Sequence, residues 1–143
     1  MTIQDCRDFA ARNPVCYLAT TDGDQPRVRA WLFWFADPSG FYFQTLQPKD
    51  VFRQIQLNPK VELCFTNNGD FATVKTMRLT GRAEILDDAA LRTKLYADMP
   101  FLRRQGHGPQ DPIHQIFRLT HGEVFFWTMA DVLREKVIER ISF

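Results

Sequence analysis

Positive charge is not concentrated anywhere in this chain. Its 18 Lys and Arg stand against 17 Asp and Glu, a net charge of +1, and no basic run occurs. A nucleic-acid partner held through phosphate contacts is therefore not expected. Long hydrophobic runs are missing too. Nothing approaches the roughly 18 apolar residues of a membrane span, so no membrane partner is expected. The opening residues Met1-Thr2-Ile3-Gln4-Asp5 offer neither the basic nor the apolar region of a secretory signal. Cysteine is scarce. Cys6, Cys16 and Cys64 are odd in number and far apart, which suits neither a metal site nor a disulfide framework. Cys16 and Cys64 lie in apolar runs and read as small buried hydrophobes, and the expected location is the reducing cytoplasm.

Motifs of side-chain catalysis are absent as well. There is no glycine-rich phosphate loop, no Ser-His-Asp order, no carboxylate pair, no internal repeat and no low-complexity segment, and no catalytic residue is assigned. His107, His114 and His121 recur every seven residues, but a Gly-Pro loop and an expected hairpin intervene, so no metal site is read. Asp87-Asp88 is read as a helix cap.

What the chain has in excess is aromatic side chains: 13 Phe in 143 residues. That points to a Phe-rich β core, with a subunit interface or a flat aromatic ligand as the sharper reading. The length suits a single domain over residues 1–143. A short helix is expected over residues 2–12, with Thr2 as N-cap and Asn13-Pro14 as stop. Strands follow over 15–20, 26–35 and 41–46, separated by turns at Asp22-Gly23-Asp24 and Asp37-Pro38-Ser39-Gly40. A second helix is expected over 48–57, with Pro48 at its first position and Val51, Phe52, Ile55 and Gln56 on one side. Asn58-Pro59 ends it. Residues 60–66 form a fourth strand and 71–86 a long one, with Gly81 as a bend or bulge. Asp87 caps a third helix reaching about residue 99, with Leu91 and Leu95 facing inward. Residues 100–112 are the loosest segment. Residues 113–120 and 123–129 form a closing hairpin around His121-Gly122. These elements predict a mainly β protein, a six- to seven-stranded antiparallel barrel with helical insertions.

Cations inside the first strands are few: Arg27 and Arg29 in the second strand and Lys49 after the third. Strand residues at i and i+2 point the same way, so the arginine pair faces either water or an anion. Trp31, Phe33 and Phe35 share that parity, making the face cationic at one end and aromatic at the other. A helix starting near Lys49 would add free N–H groups and a favourable dipole for an anion.

The order Tyr17-Leu18-Ala19-Thr20, Asp24-Gln25-Pro26-Arg27-Val28-Arg29, Phe41-Tyr42-Phe43-Gln44-Thr45, Lys49, Asn58-Pro59-Lys60-Val61 and Arg78-Leu79-Thr80-Gly81-Arg82-Ala83 resembles the FMN-binding split-barrel proteins like pyridoxamine 5′-phosphate oxidase. The resemblance implies a split barrel binding FMN, with Arg27, Val28 and Arg29 of the second strand and Lys49 at the phosphate. It implies Gln44 and Thr45 along the ring and ribityl chain. Thr76, or Lys75 beside it, falls near the pyrimidine edge, and Trp127 becomes a ring or cross-subunit contact. Trp31 and Phe33 are alternative ring walls. It further implies a homodimer with the cofactor at the subunit interface, residues 100–112 reaching across, and a flavin-dependent oxidoreductase of a small molecule. A non-catalytic module for flavin or haem is the alternative, and a deazaflavin in place of FMN stays open. The sequence departs from the family in two places. Pro48 stands where an Arg precedes the phosphate lysine, and the C-terminal substrate-phosphate segment of pyridoxamine phosphate oxidases is not seen, so oxidation of pyridoxamine phosphate itself is not expected.

Overall fold

The computed structural model describes residues 1–143, the side chain of Gln105 excepted. The chain runs α1 (Ile3–Arg12), β1 (Val15–Asp22), β2 (Gln25–Leu32), β3 (Phe35–Asp37), β4 (Gly40–Leu46), α2 (Asp50–Leu57), β5 (Lys60–Thr66), β6 (Lys75–Leu86), α3 (Ala89–Asp98), a 3-10 segment (Pro100–Gln105), β7 (His114–Thr128) and β8 (Ile141–Ser142). All pairings are antiparallel, in the order β2-β1-β5-β6-β7-β4-β3, with β8 added on β7. The mainly β, antiparallel split barrel with three helices matches the expected architecture; the short strands β3 and β8 are added to it, and two of the expected strands are one.

Local chemistry explains the helix ends. The Thr2 and Asp5 side chains cap each other's backbone N–H groups at the start of α1. Asp88, not Asp87, caps α3, its carboxylate accepting from the Leu91 N–H at 3.0 Å. α2 starts later than expected. Lys49 is its N-cap and Pro48 lies outside it, in a turn closed by the Lys49 N–H on the Leu46 carbonyl. Its buried stripe is Val51, Phe52, Gln54 and Ile55, so a glutamine sits inward and Gln56 is exposed.

Three expected strands are redrawn. The second breaks after Leu32. The Phe33 N–H donates to the Pro14 carbonyl and the Trp34 N–H to the Tyr42 carbonyl, which turns the chain into β3. The shared parity therefore ends at Phe33, which packs inside the barrel, while Phe35 stacks on Tyr42 outside it at 4.3 Å. The long strand starts at Lys75, because Asp70 folds residues 70–73 into a turn by accepting from the Ala72 and Thr73 N–H groups. The closing hairpin is instead one strand. Both halves of β7 pair with β6, and His121-Gly122 form a β-bulge opposite Gly81. His121 takes a φ of 54°, and a Cβ on Gly122 would collide with the Thr80 carbonyl.

The sheet curls so that Leu18, Phe33, Phe43, Leu63, Phe65, Met77, Leu79 and Phe117 fill its inside, closed by α1 and α2. β4 is buried on both faces. Phe41 and Phe43 point inward, and Tyr42 joins Leu95, Tyr96, Met99, Leu102 and Ile116 in a second cluster under α3 and the 3-10 segment. Residues 100–112 are thus partly structured, with Leu102 buried.

Candidate functional site

Leu18 and Thr20 of β1 stand opposite Arg29 and Arg27 of β2, and the two arginines meet different surroundings. Arg27 is exposed, 3.7 Å from an Asp22 carboxylate that Arg53 also engages at 3.1 Å. Arg29 is half-buried. One of its terminal nitrogens donates to Thr20 Oγ1 at 2.7 Å and the other to Gln54 Oε1 at 2.8 Å. The Thr20 hydroxyl donates in turn to Gln54 Oε1 at 2.6 Å, and both residues are buried. Among the described residues no carboxylate pairs with Arg29 or with Lys49. Burial, then the charge of Arg27, holds the Arg29 pKa below the ordinary arginine value, with Asp50 opposing. Arg29 thus keeps a charge that its neutral partners orient but do not cancel.

α2 ties this cation to a second one. Gln54 lies on α2 and Lys49 is its N-cap, five residues or about 7.5 Å along the axis. No side chain caps the first turn, which leaves N–H groups free for an anion. The Lys49 ammonium lies 5.4 Å from the centre of the Trp31 ring. Both border a cavity of about 260 Å³ lined by Ala30, Trp31, Leu32, Gln44, Leu46, Lys49, Phe101, Leu102 and His114.

The residues expected at the site divide into three groups. Gln44 and Lys49 come together in the cavity, with Trp31, and Arg29 joins them through α2. Thr45 points the other way along β4, into the barrel, where its hydroxyl is buried without a partner. The Val28 side chain is 71% exposed, on the face opposite Arg27 and Arg29. Thr76 and Trp127 pair with each other across β6 and β7, whereas Gln44 pairs with Ile116, eleven residues up β7 from Trp127. Lys75 lies over the Phe126 ring at 3.9 Å. Within the chain, therefore, Thr76, Lys75 and Trp127 belong to another part of the sheet.

Sequence reasoning missed Gln54, Tyr96 and His114 as site residues. Gln54 carried a signal, a polar side chain three residues after Val51 and beside Ile55 on an apolar stripe. His114 is fully buried, its Nδ1 2.5 Å from the Tyr96 hydroxyl. Burial and nearby His107 hold its pKa below the usual 6.5, with Asp111 opposing. His107 lies beside it, ring centres 6.4 Å apart, and is bonded to Asp111. His121 stands apart at the bulge. Among the described residues no three His, Cys, Asp or Glu side chains are grouped to hold a metal ion, and no helix is long and apolar enough to cross a membrane.

The family model of pyridoxamine 5′-phosphate oxidase matches residues 2–128. No curated protein matches the chain. Among solved structures, a NimC/NimA family protein from Clostridium acetobutylicum is 26% identical with a TM-score of 0.80, covering 98% of this chain and 92% of that one. A pyridoxamine 5′-phosphate oxidase-related, FMN-binding protein from Nostoc punctiforme PCC 73102 is 16% identical with a TM-score of 0.71, over 98% and 95% of the two chains. The haem storage protein HutZ of Vibrio cholerae is 16% identical with a TM-score of 0.64, over 81% and 87%. The chain belongs to the pyridoxamine 5′-phosphate oxidase family.

Proposed function

We propose that this protein binds FMN and acts as a flavin-dependent oxidoreductase of a small molecule. The observation that carries the reading is Arg29: half-buried, oriented by Thr20 and Gln54, unpaired with any described carboxylate, and linked through α2 to Lys49. A phosphate monoester brings about −1.5 to −2 charges at neutral pH, which two cations and a helix N-terminus match. Arg27, with Val28 supplying backbone, flanks that phosphate from the outside. Gln44 and the Trp31 ring offer a polar edge and a flat wall to the isoalloxazine, and Thr45 acts from the barrel side of β4. The FMN-binding relative from Nostoc supports the same choice of cofactor. When bound, FMN supplies hydride or electron transfer, and these residues hold it and shield it from water.

A cavity of about 260 Å³ falls below the usual range of roughly 300–1,000 Å³ for ligand pockets, so one protomer offers part of a site. The reading therefore includes a homodimer, in which Thr76 and Trp127 of a second subunit complete the wall. The decisive measurement is the absorption spectrum and mass of whatever copurifies with the protein. Yellow protein with a flavin band and the mass of FMN is expected. Colourless protein that takes up no added FMN sinks the reading. A haem band in its place would favour the storage role named for the Vibrio relative. Reduction of bound flavin by NADH or NADPH then separates an enzyme from a carrier.

A further inference from the structure

Two side chains bordering the cavity beside Lys49 carry a buried polar atom that the fold does not use, Nε1 of Trp31 and Nε2 of His114. His114 opens β7 opposite Leu46, is fully buried, and forms part of the cavity wall. Its Nδ1 is taken by Tyr96, while its Nε2 is buried with no hydrogen-bond partner. A buried polar group left unpaired costs about 1–3 kcal/mol, so such an atom beside a cavity calls for a ligand. Tyr96 bears on what that atom is. Its hydroxyl makes no other hydrogen bond among the described residues, so its one proton is assigned to Nδ1. With Nδ1 accepting, the neutral ring carries its hydrogen on Nε2. Burial keeps the ring neutral.

Around this N–H the wall is mostly apolar, with Leu46, Phe101, Leu102 and the Trp31 ring, and Gln44 adds an uncharged amide. The cations sit at the α2 end. A neutral donor among apolar side chains suits an in-plane carbonyl or ring nitrogen of a flat conjugated ligand better than it suits a phosphate. We propose that Nε2 of His114 donates a hydrogen bond to the conjugated ring of the flavin seated here, with Tyr96 as the positioning residue that fixes the donor tautomer. This rests on the FMN reading above and adds to it a ring contact from β7 and α3.

Riboflavin, which has the ring without the phosphate, separates the two ends of the site. Dissociation constants for FMN and riboflavin, read by flavin fluorescence, are compared in wild type, His114→Leu, His114→Gln, Tyr96→Phe and Lys49→Ala. Loss of a ring donor raises both constants by the same factor, about three- to tenfold in His114→Leu. His114→Gln keeps an amide donor and recovers part of the loss. Tyr96→Phe leaves the imidazole in place, shows the same pattern at smaller size, and decides the matter if His114→Leu does not fold. Lys49→Ala raises the FMN constant alone. Folded His114→Leu and Tyr96→Phe proteins that bind both flavins as wild type does would overturn the proposal and leave the FMN reading standing. A loss confined to FMN would place His114 at the phosphate and overturn it equally. Wild type that binds neither flavin overturns the FMN reading itself.

Discussion

Arg78 on the β5–β6 face and Arg29 beneath α2 are both half-buried arginines on strands, and their surroundings are opposite. Arg78 Nε donates to Glu62 at 2.5 Å and its Nη1 to Glu135 at 2.9 Å, with the Phe125 ring alongside at 5.3 Å. The Glu62 bond raises its pKa above the ordinary arginine value. Arg29 has a hydroxyl and an amide for partners, and burial lowers its pKa. Arg118, bonded to Glu84 at 2.6 Å, follows the Arg78 pattern. A cation that only has to sit in a fold is given a carboxylate. In the FMN reading Arg29 receives the anion, and its neutral partners aim it and leave its charge unspent.

The largest break of this contrast is to remove the unspent charge. Arg29→Ala with Lys49→Ala deletes both cations of the α2 end, and hydrogen bonds to charged groups are worth about 1.5–3 kcal/mol each. FMN affinity is expected to fall at least about 100-fold, read by fluorescence titration. A fall of less than about tenfold would mean that the phosphate is held elsewhere.

A subtler change moves Arg29 onto the Arg78 pattern. Gln54→Glu places a carboxylate where the amide oxygen now accepts from both Arg29 and Thr20. The unliganded protein should melt higher, because the half-buried cation gains a partner. FMN should bind about tenfold or more weakly, because the incoming phosphate then competes with a built-in anion. Tighter FMN binding would show that Gln54 is not part of an anion site. Arg78→Ala is the counterpart, with a smaller effect. Exposed and half-exposed ion pairs contribute about 0–1 kcal/mol, so a slightly lower urea midpoint and an unchanged FMN constant are expected. A changed FMN constant would end the distinction between the two faces.

The two regions also differ in how far the sequence showed them. Strand identity was legible where apolar alternation ran between turn residues, as in β1 and β5, or where a short continuous apolar run did, as in β4, because burial of one or both faces writes directly into the pattern. His121-Gly122 misled because a glycine beside a residue at φ 54° is chemistry shared by a tight hairpin and a bulge. Which one forms is decided by whether the two flanking runs pair with each other or with a third strand, here β6. At the site, Arg29 and Lys49 were visible as isolated cations on strand and helix start. That no described carboxylate pairs with them was not visible, since Gln54 and Thr20 reach Arg29 from other elements. The face of Thr45 was fixed only by the pairing of β4. His114 stood in a seven-residue recurrence with His107 and His121 from which no metal site was read, and the fold brings only His107 and His114 together.

His114 provides the smallest test, because it too lacks a carboxylate of its own. Its neighbours are Tyr96, His107 and, through His107, Asp111. Burial lowers its pKa below 6.5, with His107 adding and Asp111 opposing. The unfolded chain therefore takes up a proton near pH 6.5 that the folded ring still refuses. Its contribution to stability is complete above that pH and is lost as the pH falls through the folded value, at no more than about 1.4 kcal/mol per pH unit. The urea midpoint of the unliganded protein should drop between pH 7 and 5, and His114→Leu should flatten that drop. Asp111, whose pKa is lowered first by the Ile113 N–H and next by His107, contributes with the same sign, but its loss lies below the ordinary carboxylate value of 3.8 and outside this window. An unchanged slope in His114→Leu would mean that the fold does not shift the titration of the imidazole, and a steeper drop would mean that the fold holds the ring charged, which would replace the neutral donor of the cavity by a third cation.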